Sequence, residues 1–204
     1  YINHFITQED EITTTTLNGS HSSSVTTLTL TSTGDVSDTG GIAVAGATSL
    51  TTKNATAKNI TLDTATSTFG ALSLYSYAAD GSTVNAGTIA VSENATLGIA
   101  AVKTTGALTL TALNSNDIDI QGIVRADTSA TLDATSNAIT NATGSGSNSN
   151  YIVSDRITLT SASVGTSVSN RDVNIDWRTS TAAVGGASPL LDISAVTAGL
   201  YIEN

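Results

Sequence analysis

Residues 106–122 read GALTLTALNSNDIDIQG, and this stretch decides the fold. Leu108 and Leu110 stand two apart around Thr109, and Ile118 and Ile120 stand two apart around Asp119. A period of two is the mark of a strand with one face buried and the other wet. Between the pairs lies Asn114-Ser115-Asn116-Asp117. These residue types tolerate left-handed backbone or cap a turn with their own side chains. The stretch therefore reads as a strand, a tight corner and a second strand.

The same pairing recurs in both directions. Upstream stand Leu28 and Leu30, Ile42 and Val44, Ile60 and Leu62, Leu72 and Leu74, Ile89 and Val91, and Leu97 and Ile99. Downstream stand Ile157 and Leu159, Val173 and Ile175, Leu191 and Ile193, and Leu200 and Ile202. β-Branched Thr, Val and Ile crowd these windows and disfavour helix through restricted χ1. The strands also resemble one another: VTTLTLT (25–31), NITLDTA (59–65), GALSLYS (70–76), SATLDAT (129–135) and RITLTSA (156–162) share one frame. Leu28, Leu50 and Leu72 are evenly spaced, and Leu108, Leu132 and Leu159 follow one another at slightly longer intervals.

Self-similarity at such intervals marks a solenoid, in which each unit buries its apolar face only against its neighbours. With no helix in the unit, the expected class is all-β, a parallel β-helix. Two β-sandwich modules are the alternative, and the single Trp177, the lack of proline in turns and the coil-length repeat count against it. Residues 1–24 match the repeat poorly and read as a flank or cap, leaving 25–204 as the β-helix. Loops are expected near 140–150 (TNATGSGSNSN) and 178–189 (RTSTAAVGGASP). Tyr1 opens the chain and methionine is absent, so it reads as an excerpt or processed piece of something longer.

GALTLTALNSNDIDIQG (106–122), RITLTSASVG (156–165) and AGLYIEN (198–204) resemble the coil repeats of filamentous-haemagglutinin-like exoproteins, very large bacterial surface adhesins. The resemblance spans about residues 25–204 and rests on a Gly-x-Leu-Thr-Leu style frame, not on a functional motif. It implies a right-handed parallel β-helix, secretion to the cell surface, and a role as adhesin or rigid stalk. No adhesive residue is carried over by it.

Composition removes several functions. Seven Lys+Arg against 17 Asp+Glu, a net charge of −10, argues against nucleic acid as partner. The absence of cysteine excludes disulfides and thiolate zinc sites. No apolar run reaches the 18 or so residues of a membrane-spanning helix. The phosphate-loop, HExxH and GxSxG patterns are missing, and the two histidines, His4 and His21, lie in the poorly matched flank.

Two constellations remain as site candidates. Asp117 and Asp119 alternate outward on one strand, with Arg125 and Asp127 close behind. Carboxylates so spaced suit calcium, the one cofactor considered, or an acid and base pair in a carbohydrate-active β-helix enzyme. Solvated polar positions are the simpler account, and the chain is read as a non-enzyme. Tyr75 and Tyr77 face away from Leu72 and Leu74 and offer a stacking platform for a glycan. Outward Thr-x-Thr steps such as Thr109/Thr111 and Thr158/Thr160 suggest an ice-binding rank, but Ala43, Asp63, Ser73, Asp119, Asp133 and Asn174 break the column. The partners expected are a cell-surface glycan or protein receptor, or further copies along a filament or surface layer, in an extracellular or cell-surface setting.

Overall fold

Among the described residues, no two successive strands pair as a hairpin. In the computed structural model, each strand pairs with a strand of the coil before or after it, and every pairing of named strands is parallel. The structure describes residues 14–17, 27–141, 150–165, 173–176, 190–194, 199–200 and 202–203. The expected loops at 140–150 and 178–189, Trp177, and both histidines fall largely or wholly outside them.

The first nine strands alternate between two sheets: β1 (Thr14–Leu17), β2 (Leu28–Ser32), β3 (Asp35–Asp38), β4 (Thr48–Lys53), β5 (Ile60–Leu62), β6 (Ala71–Tyr77), β7 (Ile89–Glu93), β8 (Leu97–Thr104) and β9 (Ala107–Ala112). Three strands per coil follow: β10 (Ile118–Ile120), β11 (Val124–Ala126) and β12 (Ser129–Asp133), then β13 (Ala138–Asn141), β14 (Tyr151–Val153) and β15 (Arg156–Thr160). The last are β16 (Ser163–Val164), β17 (Val173–Asp176), β18 (Leu190–Ser194), β19 (Gly199–Leu200) and β20 (Ile202–Glu203). The first sheet runs β1-β3-β5-β7-β9-β12-β15-β18. The second runs β2-β4-β6-β8 and then forks, one branch through β10, β13, β16 and β19, the other through β11, β14, β17 and β20. This is a parallel β-solenoid, and the all-β β-helix reading holds. Strand β1 lies inside the stretch set apart as a flank, and it pairs in register with β3. Among the described residues no helix is long and apolar enough to cross a membrane.

Inward residues stack into columns along the axis. On the first sheet Val36, Ile60, Ile89, Leu108, Ala130 and Ile157 follow one another from rung to rung. On the second, Leu30, Leu50, Leu74, Val102, Val124, Ile152 and Ile175 do the same. All of these side chains are buried in one continuous core. The return from one rung of the first sheet to the next is short between Ile89 and Leu108 and much longer between Ile157 and Leu191. The constant quantity is the rung, not the loop.

The fork has a local cause. Leu72 pairs with Ile99 but Ser73 pairs with Ala101, so Ala100 is one residue too many for the partner strand. A bulge of this kind bends its strand. In the next coil Gln121-Gly122-Ile123 separates β10 from β11, tied to β8 by Gln121 N–H to Ile99 O at 2.8 Å and Val102 N–H to Ile123 O at 2.9 Å. A Cβ at Gly122 would collide with the Ala100 carbonyl oxygen, so only glycine fits under the bend.

Where the chain leaves the ladder, buried hydroxyls replace the missing partners. Ser32, Thr52, Ser76, Thr104 and Ser154 all point inward at the turn from the second sheet to the first. Thr52 Oγ1 donates to Lys58 O at 3.1 Å, Ser76 Oγ accepts from Gly87 N–H at 3.2 Å, and Ser154 Oγ donates to Arg156 O at 2.9 Å. An unpartnered buried backbone group would cost free energy comparable to a lost hydrogen bond. The left-handed corner expected at Asn114 (φ 54°) and Ser115 (φ 60°) is present, and Gly81 (φ 72°) makes another.

Three substitutions test this packing. Leu110→Ala, in a column between Val91 and Leu132, is expected to lose about 2–5 kcal/mol in urea denaturation. Thr109→Ala on the outer face of the same strand should change stability by less than about 0.5 kcal/mol. Gly122→Ala is expected to lose about 1–3 kcal/mol by the same measurement, because the Ala100 carbonyl must move. Equal effects at positions 109 and 110 would refute the inward assignment.

Candidate ligand-binding face

Strand β6 carries Leu72, Leu74 and Ser76 inward and therefore Ser73, Tyr75 and Tyr77 outward. The two tyrosines are half-buried, and their rings stack with centroids 5.6 Å apart and planes 10° from parallel. Lys53 is the register partner of Tyr77 on the preceding rung, and Lys103 that of Tyr75 on the following rung. Arg125 continues the column beyond Lys103. Thr51 precedes Tyr75 in the same column. The pair of rings thus has an ammonium group on either side along the solenoid axis.

The charges differ in availability. Arg125 is held by Asp127 in a two-pronged ion pair, Nε to Oδ1 at 2.7 Å and Nη2 to Oδ2 at 2.8 Å. Lys103 is exposed. The stem of Lys53 lies against Gly81, where an added Cβ would stand 2.9 Å from Lys53 Cε. Gly81 belongs to an excursion after β6 that returns at Val84, which bridges Tyr77 in antiparallel sense. Asp80 holds this excursion in shape. Its Oδ1 accepts from Ser82 N–H and Thr83 N–H at 2.8 Å each, and its Oδ2 accepts from Thr83 Oγ1 at 2.5 Å. The Thr83 hydroxyl first, then the two backbone groups, bring its pKa down to about 2. Burial, and secondarily the neighbouring Tyr75, raises the pKa of Tyr77, whose hydroxyl stays protonated at neutral pH.

Asp117 and Asp119 lie elsewhere, at the start of the forked branch. Asp117 Oδ1 accepts from Ala138 N–H at 2.9 Å. Asp119 Oδ1 accepts from Thr140 Oγ1 at 3.0 Å and its Oδ2 from Gln121 Nε2 at 3.3 Å. Among the described residues no group of three His, Cys, Asp or Glu side chains gathers as a metal site. The threonine rank is more continuous than the sequence suggests. Thr61, Ala90, Thr109, Thr131 and Thr158 form one outward column of the first sheet, while Ser73, Asp119 and Asn174 belong to the second. Asp133 still interrupts the adjacent column between Thr111 and Thr160.

Two further acidic residues carry chemistry that the sequence reading passed over. Asp38 is buried, accepting from Asp63 N–H and Ser67 Oγ, each at 3.1 Å. Glu93 is buried two coils further on, accepting from Phe69 N–H at 2.6 Å through Oε1, with no partner for Oε2 among the described residues. The two acids clamp the corner at residues 63–69 from opposite sides. Glu93 extends the inward frame of Ile89 and Val91, and an acid at an inward position was the available signal.

Residues 6–75 match the model of a family described as repeats of unknown function (DUF5649), a span that runs from before β1 into β6. No characterised protein and no solved structure shows significant similarity to the chain. The match and the solenoid together fit a repeat β-helix protein. Neither singles out the filamentous-haemagglutinin-like exoproteins.

Burial pushes the Glu93 carboxyl from an ordinary 4.5 up to about 8, against the Phe69 N–H, which lowers it. Between these values the folded chain keeps a proton that the unfolded chain has released. Stability from this group therefore falls as pH rises from about 4.5 to about 8 and levels off above. Glu93→Gln should remove that component of the slope, read as melting temperature at pH 5, 7 and 9. Parallel curves for the two proteins would show that the Glu93 proton is not linked to folding.

Proposed function

We propose that this chain is a segment of a large extracellular bacterial surface protein that serves as an adhesin or its rigid stalk. The observation that carries the reading is the unbroken parallel ladder: the first sheet adds a strand with each coil from β1 to β18. Parallel rungs about 4.8 Å apart build length along one axis. A continuous inward core makes each rung depend on the next, which gives stiffness. Outward positions are mostly Thr, Ser, Asn and Asp, and the net charge of −10 disfavours collapse onto like rods. The resemblance of residues 25–204 to surface adhesin repeats supports the same reading, as does the repeat-family match at residues 6–75.

The role is non-catalytic. Asp117 and Asp119 are engaged in hydrogen bonds that pin the next coil, and the Arg125 guanidinium is closed onto Asp127. These bonds favour a scaffold role for the four side chains over acid and base work on a glycosidic bond. The face bearing Tyr75 and Tyr77 is the part of this segment suited to a receptor, a glycan above all.

The deciding measurement is the intact mass of the native protein that carries this sequence, taken from surface and secreted fractions. A mass many times 20.5 kDa, found in the surface fraction, is expected of a long rod. A protein near 20.5 kDa, or one confined to the cell interior, would remove the stalk reading.

A further inference from the structure

The charge of this chain sets the problem. With 17 acidic and seven basic residues, the molecule as a whole repels polyanions, so an anion site must be local and assembled from several coils. Among the described residues one place meets this condition. Lys53, the Tyr75–Tyr77 pair and Lys103 occupy three successive rungs of the second sheet. The outward neighbours on these rungs, Ser49, Thr51, Ser73 and Ala101, carry no charge. The nearest acid in sequence, Asp80, keeps its charge but spends both carboxylate oxygens on hydrogen bonds within its own turn, and it forms no ion pair with either lysine. Among the described residues the one ion pair is Arg125–Asp127, so neither lysine is neutralised by a carboxylate partner there.

We propose that Tyr75, Tyr77, Lys53 and Lys103 form a subsite for an acidic polysaccharide, one that bears carboxylate or sulfate groups along its length. The proposal deepens the adhesin reading and rests on it for its biological role. Aromatic rings offer an apolar face to the C–H face of a pyranose ring while their hydroxyls stay wet. The stacked pair holds itself rigid, so little side-chain entropy is lost when a sugar settles on it. The two ammonium groups arise from rungs about 10 Å apart, twice the strand spacing. That separation lets them meet anionic groups on different sugars of one chain. A neutral glycan would use the rings and leave the lysines without a role. A nucleic acid would bring a phosphate at every nucleotide, and two lysines on an acidic rod neutralise too few of them.

The test uses the full chain with three probes: dextran sulfate, uncharged dextran of equal length, and an oligothymidylate. Dextran sulfate is expected to bind, with affinity falling as salt is raised, and dextran is expected not to. Lys53→Gln/Lys103→Gln and Tyr75→Ala/Tyr77→Ala should each weaken dextran sulfate binding at least about tenfold. The lysine variant alters only outward side chains, and an unchanged circular dichroism spectrum ensures that it reports binding rather than folding. Wild-type affinity in the lysine variant, equal affinity for uncharged dextran, or tighter binding of oligothymidylate would overturn the proposal. Attachment of the same proteins to host cells separates the two readings. Attachment that survives in both variants would leave the adhesin role standing and dismiss this subsite. Dextran sulfate binding without any attachment would do the reverse.

Discussion

Everything in this molecule depends on the parallel ladder between successive coils, because no coil has an adequate interior of its own. Ile60 is fully buried only with Val36 on one side of it and Ile89 on the other. Each such aliphatic side chain contributes about 1.5–3 kcal/mol on burial, and in a lone coil most of that contribution would be missing. The ladder also explains why the returns tolerate such different lengths, as between Ile89 and Leu108 and between Ile157 and Leu191. A loop outside the rung costs only slowly growing closure entropy, whereas a slip within the rung would turn apolar side chains outward.

The corners are the counterweight to the ladder. A strand satisfies its backbone through its neighbours, but a chain turning from one sheet to the next loses them. The inward hydroxyls of Thr52, Ser76 and Thr104 supply those bonds without bringing charge inside. The corner at 63–69 uses acids instead, with Asp38 from one coil and Glu93 from another. Among the described residues Asp38 has a donor on each oxygen, while Glu93 has a donor on one only. A neutral carboxyl resolves that shortfall best, because an ionised group with an unmatched oxygen would carry a heavy desolvation cost. The high pKa of Glu93 is thus a consequence of how the corner is built.

The period of two, the corner at Asn114 and Ser115, and the solenoid class were all legible in the sequence, since each depends on local residue chemistry. Register was not. Leu28, Leu50 and Leu72 are evenly spaced, yet Leu50 pairs with Leu30 and Leu74. Leu132 likewise lies beside Leu110, not Leu108. Both slips are by an even step, which keeps the inward face and so leaves no trace in the alternation. The fork was also hidden, because LGIAAVKT reads as one strand and nothing marks Ala100 as the extra residue. Tyr75 and Tyr77 could be singled out by their outward frame. Lys53 and Lys103 could not, because a whole return of the chain separates each of them from the tyrosine it meets.

The same separation of constraints gives the outer face its use. Inward positions accept only side chains that fit a column, so Leu, Ile, Val and small residues dominate them. Outward positions need only remain compatible with a strand, and their spacing is set by the backbone, not by the side chains themselves. A residue placed outward on one coil is therefore held at a fixed distance from its neighbours on the next, about 4.8 Å along the axis. Tyr75 between Thr51 and Lys103 is an instance of this. A linear polymer such as a polysaccharide presents its own groups at regular intervals, and a ladder can oppose it with another regular series. The stiffness that suits the chain to a stalk thus also preorganises a binding face, since the rungs that carry its side chains are already fixed.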